Sequence, residues 1–202
     1  MQRGFAVTLV LLAGTVSALP GQGTMTPSFN APYRAFSKHE FGGTVSFPGG
    51  QNLGIEGQYR FGYQRFDLGL RGGLVDPGGA ADAYVVLGAE GRGRLIQHTE
   101  SFPLDGALIV GLAGQFPSGG SRAVITGGLS LGRRVDPANS QVSIIPYAEP
   151  ALFITSGGGA GTDLGFALGL GADFRLSSVF DARVSVAFGD VEGIAFSAVW
   201  IR

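Results

Sequence analysis

From about residue 38 onward, apolar and polar positions alternate with a period of two, which is the pattern of strands with two unlike faces. Across 163–176, Leu164, Phe166, Leu168, Leu170, Ala172, Phe174 and Leu176 share one face. Asp163, Gly165, Ala167, Gly169, Gly171, Asp173 and Arg175 share the other. The same split sets Leu53, Ile55, Tyr59, Phe61 and Tyr63 against Glu56, Gln58 and Arg60, then Phe66, Leu68 and Leu70 against Arg65, Asp67 and Arg71. Between those two runs the apolar residues pass from odd to even numbers, so a tight turn is expected at Gln64. The rule predicts about ten strands, over 38–47, 51–63, 65–75, 83–96, 104–116, 122–134, 142–155, 162–176, 179–189 and 191–201, with eight as the main alternative. Pro and Gly clusters such as Pro48-Gly49-Gly50, Asp76-Pro77-Gly78-Gly79 and Pro117-Ser118-Gly119-Gly120 separate them. Short connections make successive strands antiparallel hairpins, and such a meander can close into an up-and-down barrel.

Alternation alone does not say which face is outside. Many runs reach eleven residues or more, beyond the usual strand of about five to six and suited to crossing a bilayer at a tilt. The polar face is mostly Gly, Ala and Ser with scattered Arg, Asp and Glu, and Lys38 is the only lysine in the chain. A water-exposed sheet would carry more Lys and Glu, whereas small residues and pairable charges suit a confined lumen. Aromatics on the apolar face recur near strand ends: Phe41, Phe47, Tyr63, Phe66, Phe116, Phe174, Phe180, Phe188 and Trp200. Two interfacial girdles would use them in this way. The competing architecture is a soluble sandwich or barrel with these aromatics as its core.

The first residues change the picture further. Arg3, an apolar run from Phe5 to Ala13 too short to span a bilayer, and Val16-Ser17-Ala18 read as a cleaved secretory signal over 1–18. Residues 19–37 lack a period and are expected to be a linker or a partial plug, leaving 38–202 as the barrel. Charged residues make up only 14% of the 202-residue chain, glycine numbers 36, and the formal net charge is -1. No basic field for nucleic acid exists, and the absence of cysteine removes disulfides, thiolate metal sites and cysteine nucleophiles.

The signal, the alternating strands, the Gly-rich polar face and a last strand with Ile194, Phe196, Ala198 and Trp200 on one face resemble the small outer-membrane β-barrel proteins, the group that includes the OmpA barrel and OmpX-like proteins. The resemblance covers 38–202 in architecture. It implies residence in a Gram-negative outer membrane, contact with outer-membrane lipid, and recognition of the last strand by the barrel assembly machinery. In that group the final strand commonly ends on an aromatic; here the aromatic is Trp200, two positions before the end of the sequence.

In such a barrel the inward charges are Glu40, Glu56, Asp67, Glu90, Glu149, Asp173 and Asp181 against Lys38, Arg60, Arg65, Arg71, Arg92, Arg94, Arg175 and Arg183. The two signs nearly balance, so an ion-paired, largely filled lumen is expected, with a narrow, porin-like channel as the sharper reading. His39 and His98 are the only histidines, both expected near the periplasmic rim, and neither spacing offers a hydroxyl nucleophile with its base or three metal ligands. No enzyme, cofactor or metal is expected, and a monomer is the expected state. The loops near 48–52, 76–82, 117–121, 156–161 and 189–192, taken to face outward, are too short for a large-ligand receptor. Two other classes stay open: a soluble periplasmic or secreted β-barrel holding an apolar ligand, and an outer-membrane lipid-modifying enzyme.

Overall fold

The computed structural model describes residues 24–32, 36, 38–49, 52–159 and 161–202. The expected signal over 1–18 lies outside them. Ten strands follow in chain order: β1 (His39–Pro48), β2 (Leu53–Tyr63), β3 (Phe66–Asp76), β4 (Tyr84–Ile96), β5 (Asp105–Phe116), β6 (Arg122–Gly132), β7 (Ser143–Gly157), β8 (Thr162–Arg175), β9 (Phe180–Gly189) and β10 (Gly193–Ile201). Each pairs antiparallel with its sequence neighbour, and β10 pairs with β1, so the sheet is a closed ten-strand up-and-down barrel without edges. This excludes the eight-strand alternative. Closure runs through nine consecutive register pairs, from Glu40 opposite Ile201 to Pro48 opposite Gly193.

The phase change at Gln64 is a two-residue turn: Tyr63 faces Phe66 across it, and Gln64 takes φ 56°, the left-handed conformation a primed hairpin turn demands. Strand ends depart from the sequence reading by a few residues. β6 stops at Gly132 because the chain then turns through Arg133 and Arg134 to a lone bridge between Val135 and Ile144.

One rim carries the starts of the odd strands and the turns at 64–65, 97–104, 133–142 and 176–179; His39 and Arg202 exchange backbone hydrogen bonds there. We call it the near rim. The opposite, far rim carries the short β1–β2, β3–β4, β5–β6, β7–β8 and β9–β10 turns.

The barrel is apolar on its outside. Leu68, Leu70, Leu74, Leu87, Val110, Leu112, Ile125, Leu152 and Leu164 are all exposed, while Glu40, Glu56, Asp67, Arg92, Glu149, Asp173, Asp181 and Arg183 are buried. Water would penalise this arrangement at both faces; a hydrocarbon surrounding reverses the outer penalty. Phe41, Tyr63, Phe66, Phe174, Phe180 and Trp200 stand toward the near rim, and Phe47, Phe116 and Phe188 toward the far one. Phe41 stacks on Trp200 across the closing seam with ring centroids 5.9 Å apart, and Phe180 lies 5.1 Å from the same indole.

Candidate functional site: an occupied lumen

The lumen is where the chain places its polar chemistry. In the near half, β2, β3 and β4 bring Arg60, Asp67, Glu90 and Arg92 together. Arg60 pairs with Asp67 and, at 2.7 Å, with Glu90, while Arg92 grips Asp67 through Nη2 at 2.8 Å and Nε at 3.1 Å. The register explains the meeting, since Arg60 sits beside Gly69 on β3 and Asp67 opposite Arg92 on β4. A Cβ at Gly69 would lie 2.9 Å from the Arg60 guanidinium, so the glycine makes room for it. Across the seam, Arg183 on β9 donates to Glu40 at 2.7 Å and lies 3.4 Å from Asp173, and Arg175 reaches Asp181 at 3.3 Å. Alternating signs around each guanidinium offset the desolvation that isolated buried charges would suffer.

Not every expected inward charge is there. Arg65 lies in the exposed β2–β3 turn and Lys38 is exposed before β1, because both fall outside the strands whose pleat would aim them inward. Nor is the lining uniformly polar. On β7 the inward positions include Ile145, Tyr147 and Phe153, and with Val124, Ala167, Ala187 and Val191 they form an apolar wall. Tyr147 lies over Gly171 and Phe153 over Gly165, their cross-strand partners on β8; a Cβ at either glycine would come within 2.4 Å of the ring. The large residue and the glycine are thus one packing unit, and only the strand register reveals it.

What fills the rest of the lumen is the chain itself. Residues 24–32 and Phe36 are buried inside the barrel. The segment's contacts progress from one rim to the other. Gln115, next to last in β5 at the far rim, donates to the Thr24 carbonyl at 3.4 Å. Thr26 Oγ1 donates to Glu56 at 2.5 Å, and Ser185 Oγ donates to the Pro27 carbonyl at 2.6 Å. At mid-barrel Arg71 reaches the Ser28 carbonyl at 3.0 Å and the Tyr147 hydroxyl the Phe29 carbonyl at 2.9 Å. Toward the near rim Ser130 holds the Asn30 carbonyl at 2.8 Å, Arg183 the Asn30 side-chain oxygen at 2.9 Å and Arg92 the Ala31 carbonyl at 2.5 Å. Phe36 then lies under the guanidinium groups of Arg92 and Arg94, 5.4 and 4.7 Å from its ring centroid. From Thr26 to Pro32 the described segment therefore runs down the lumen from its far half toward the near rim, where Phe36 and the start of β1 lie.

Its packing is as specific as its hydrogen bonds. Phe29 and Met25 join the apolar wall. Phe29 lies against Gly169 on β8, where a Cβ would fall 2.3 Å from the ring, and Pro32 packs at Gly132. Burying a Phe side chain contributes about 1.5–3 kcal/mol, so Phe29 is the principal apolar anchor.

Of the lumen charges read from sequence, Arg60, Asp67, Glu90 and Arg92 are brought into one cluster, and Arg175, Asp173, Asp181 and Arg183 meet with Glu40 in a second. Arg71, Glu56 and Arg94 instead face the segment, and Glu149 is fully buried on β7. Sequence reasoning missed Gln115, Ser130, Tyr147, Ser185 and Gly169, which hold the segment; inward parity marks them, but nothing in the pattern says what they would face. His39 points outward to the Tyr59 hydroxyl, 2.6 Å away, and His98 lies 3.1 Å from Asp105 at the near rim. Among the described residues, no three His, Cys, Asp or Glu side chains group as metal ligands.

No family model matches the chain, and no curated protein matches it. Among solved structures, the β domain of the Bordetella autotransporter BrkA is similar at 18% identity, with a TM-score of 0.48 over 74% of this chain and 72% of that one.

Proposed function

We propose that the protein is a non-enzymatic outer-membrane β-barrel whose lumen is closed by its own residues 24–32 and Phe36, so that it serves envelope structure rather than open diffusion. The observation that carries this reading is the inversion of polarity: a closed barrel exposes its large apolar side chains and buries its charges. A soluble barrel that holds an apolar ligand needs the opposite, an apolar cavity left vacant inside a wettable wall. Here hydrogen-bonded chain occupies that space. The outer positions of β10, Ile194, Phe196, Ala198 and Trp200, are proposed as the surface the barrel assembly machinery reads before β10 closes on β1.

The absence of cysteine makes the orientation testable. Ser118 lies in the far-rim β5–β6 turn and Ser177 in the near-rim β8–β9 turn, both exposed. With cysteine placed at one site at a time, a bulky maleimide that cannot cross the outer membrane is expected to label Ser118→Cys on intact cells. Ser177→Cys should react only after permeabilisation. The protein should extract with detergent alone and migrate differently before and after heating. A detergent-free soluble fraction that holds the folded chain would sink the membrane assignment, and the reverse labelling pattern would invert the barrel.

A further inference from the structure

The way the lumen holds residues 24–32 has a chemistry of its own. Arg71, Arg92, Gln115, Ser130, Tyr147 and Ser185, spread over β3, β4, β5, β6, β7 and β9, each donate to a main-chain carbonyl of the segment. Carbonyl oxygens are common to every peptide, so this ring of donors recognises a peptide backbone rather than one sequence. Pro27 and Pro32 have no N–H to leave unpaired in the lumen, and they disfavour helix. Side-chain recognition is added at two neighbouring positions. Phe29 fills the space over Gly169 against the wall of Ile145 and Phe153, and the Asn30 side-chain oxygen accepts from Arg183.

From this we infer that the lumen is a binding channel for a peptide, occupied in cis by segment 24–32, which is bent at 24–27, and able to take a peptide of the same chemistry in trans. The ligand class is a proline-flanked peptide with adjacent aromatic and amide side chains. The inference rests on the closed-lumen reading above, and goes beyond it in treating the occupant as exchangeable ligand rather than fixed filler. A protease recognition site inserted between Phe36 and Lys38 tests it. The full chain is folded in detergent, cut at that site, and offered a fluorescent synthetic peptide of residues 24–36.

Fluorescence anisotropy is expected to report uptake of the labelled peptide by the cut barrel, and unlabelled peptide should compete it out. A Phe29→Ala peptide should compete about tenfold or more weakly, the loss expected for an aromatic anchor in an apolar socket. An Asn30→Ala peptide should weaken too, and Arg183→Met in the barrel should erase that difference between the two peptides. A heat-modifiable, cut barrel that takes up no peptide, or binds the Phe29→Ala peptide as tightly, would overturn the inference while leaving the barrel assignment intact. A chain with no heat-modifiable form would overturn both.

Discussion

Leucine at Gly169 is expected to turn an electrically silent barrel into a conducting one. Gly169 leaves no room for a side chain: a Cβ built on it would lie 2.3 Å from Phe29 Cδ1 and 2.6 Å from Cε1, and leucine adds three further carbons in the same direction. Gly169 is held on both sides, opposite Glu149 on β7 and Ala187 on β9, so the strand has no freedom to retreat. The segment must yield instead. Phe29 is buried among Met25, Ile145, Tyr147 and Phe153, and overpacking such a site costs about 1–3 kcal/mol on top of the burial lost if the ring leaves. Those two terms together act directly against the docking of the segment. Single-channel recording in a planar bilayer should find no steps from the parent protein and discrete steps from Gly169→Leu, with deletion of 24–36 as the reference for a fully vacated lumen. Heat-dependent gel mobility establishes that each variant is a folded barrel. A folded, silent Gly169→Leu together with a conducting deletion would mean that the segment repacks around the leucine. Silence from both would mean that the lining side chains alone close the pore.

The barrel was legible because its wall obeys a one-dimensional rule. A strand's faces are fixed by parity, and the turns that separate strands announce themselves as Pro and Gly clusters, so Leu164 to Leu176 could be assigned an apolar face without knowing any partner. The shift of phase at Gln64 even located a turn to the residue. Parity also placed Arg60, Asp67, Arg92, Asp173 and Arg183 inside. It failed for Arg65 and Lys38 because a pleat has no meaning in a turn or ahead of a strand. The lumen's contents were beyond such a rule. Thr24 to Pro32 has neither period, its bonds run to residues as far away as Ser185, and its donors become a set only when six strands close around it. Glycines told the same story from the other side. Gly169 and Gly171 read as small lumen residues that leave space, and only the register and the segment identify what fills it, Phe29 in one case and Tyr147 in the other.

Asp67→Asn should be among the most destabilising single changes in the barrel wall, about 3–5 kcal/mol, because it leaves two guanidinium groups facing one neutral amide where a carboxylate had balanced them. The Arg92 and Asp67 side chains are fully buried and that of Arg60 nearly so, leaving water little access to screen the mismatch. The exposed Arg134–Asp136 pair at the near rim is the contrast: an Asp136→Asn variant should unfold in urea like the parent, since solvent already screens that contact. The cluster is also coupled to the lumen's occupant, because Arg92, steered by Asp67, holds the Ala31 carbonyl. Once Gly169→Leu has released the segment, water enters beside Arg60 and Arg92 and hydrates the charges that Asp67 would otherwise neutralise. The two substitutions are therefore expected to be less than additive, with Asp67→Asn costing measurably less in the Gly169→Leu background than in the parent, although Asp67 and Gly169 stand on different strands, β3 and β8. Strict additivity in urea unfolding from lipid or detergent would sink that coupling. It would also mean that the salt-bridge cluster supports the wall without sensing whether the lumen is filled.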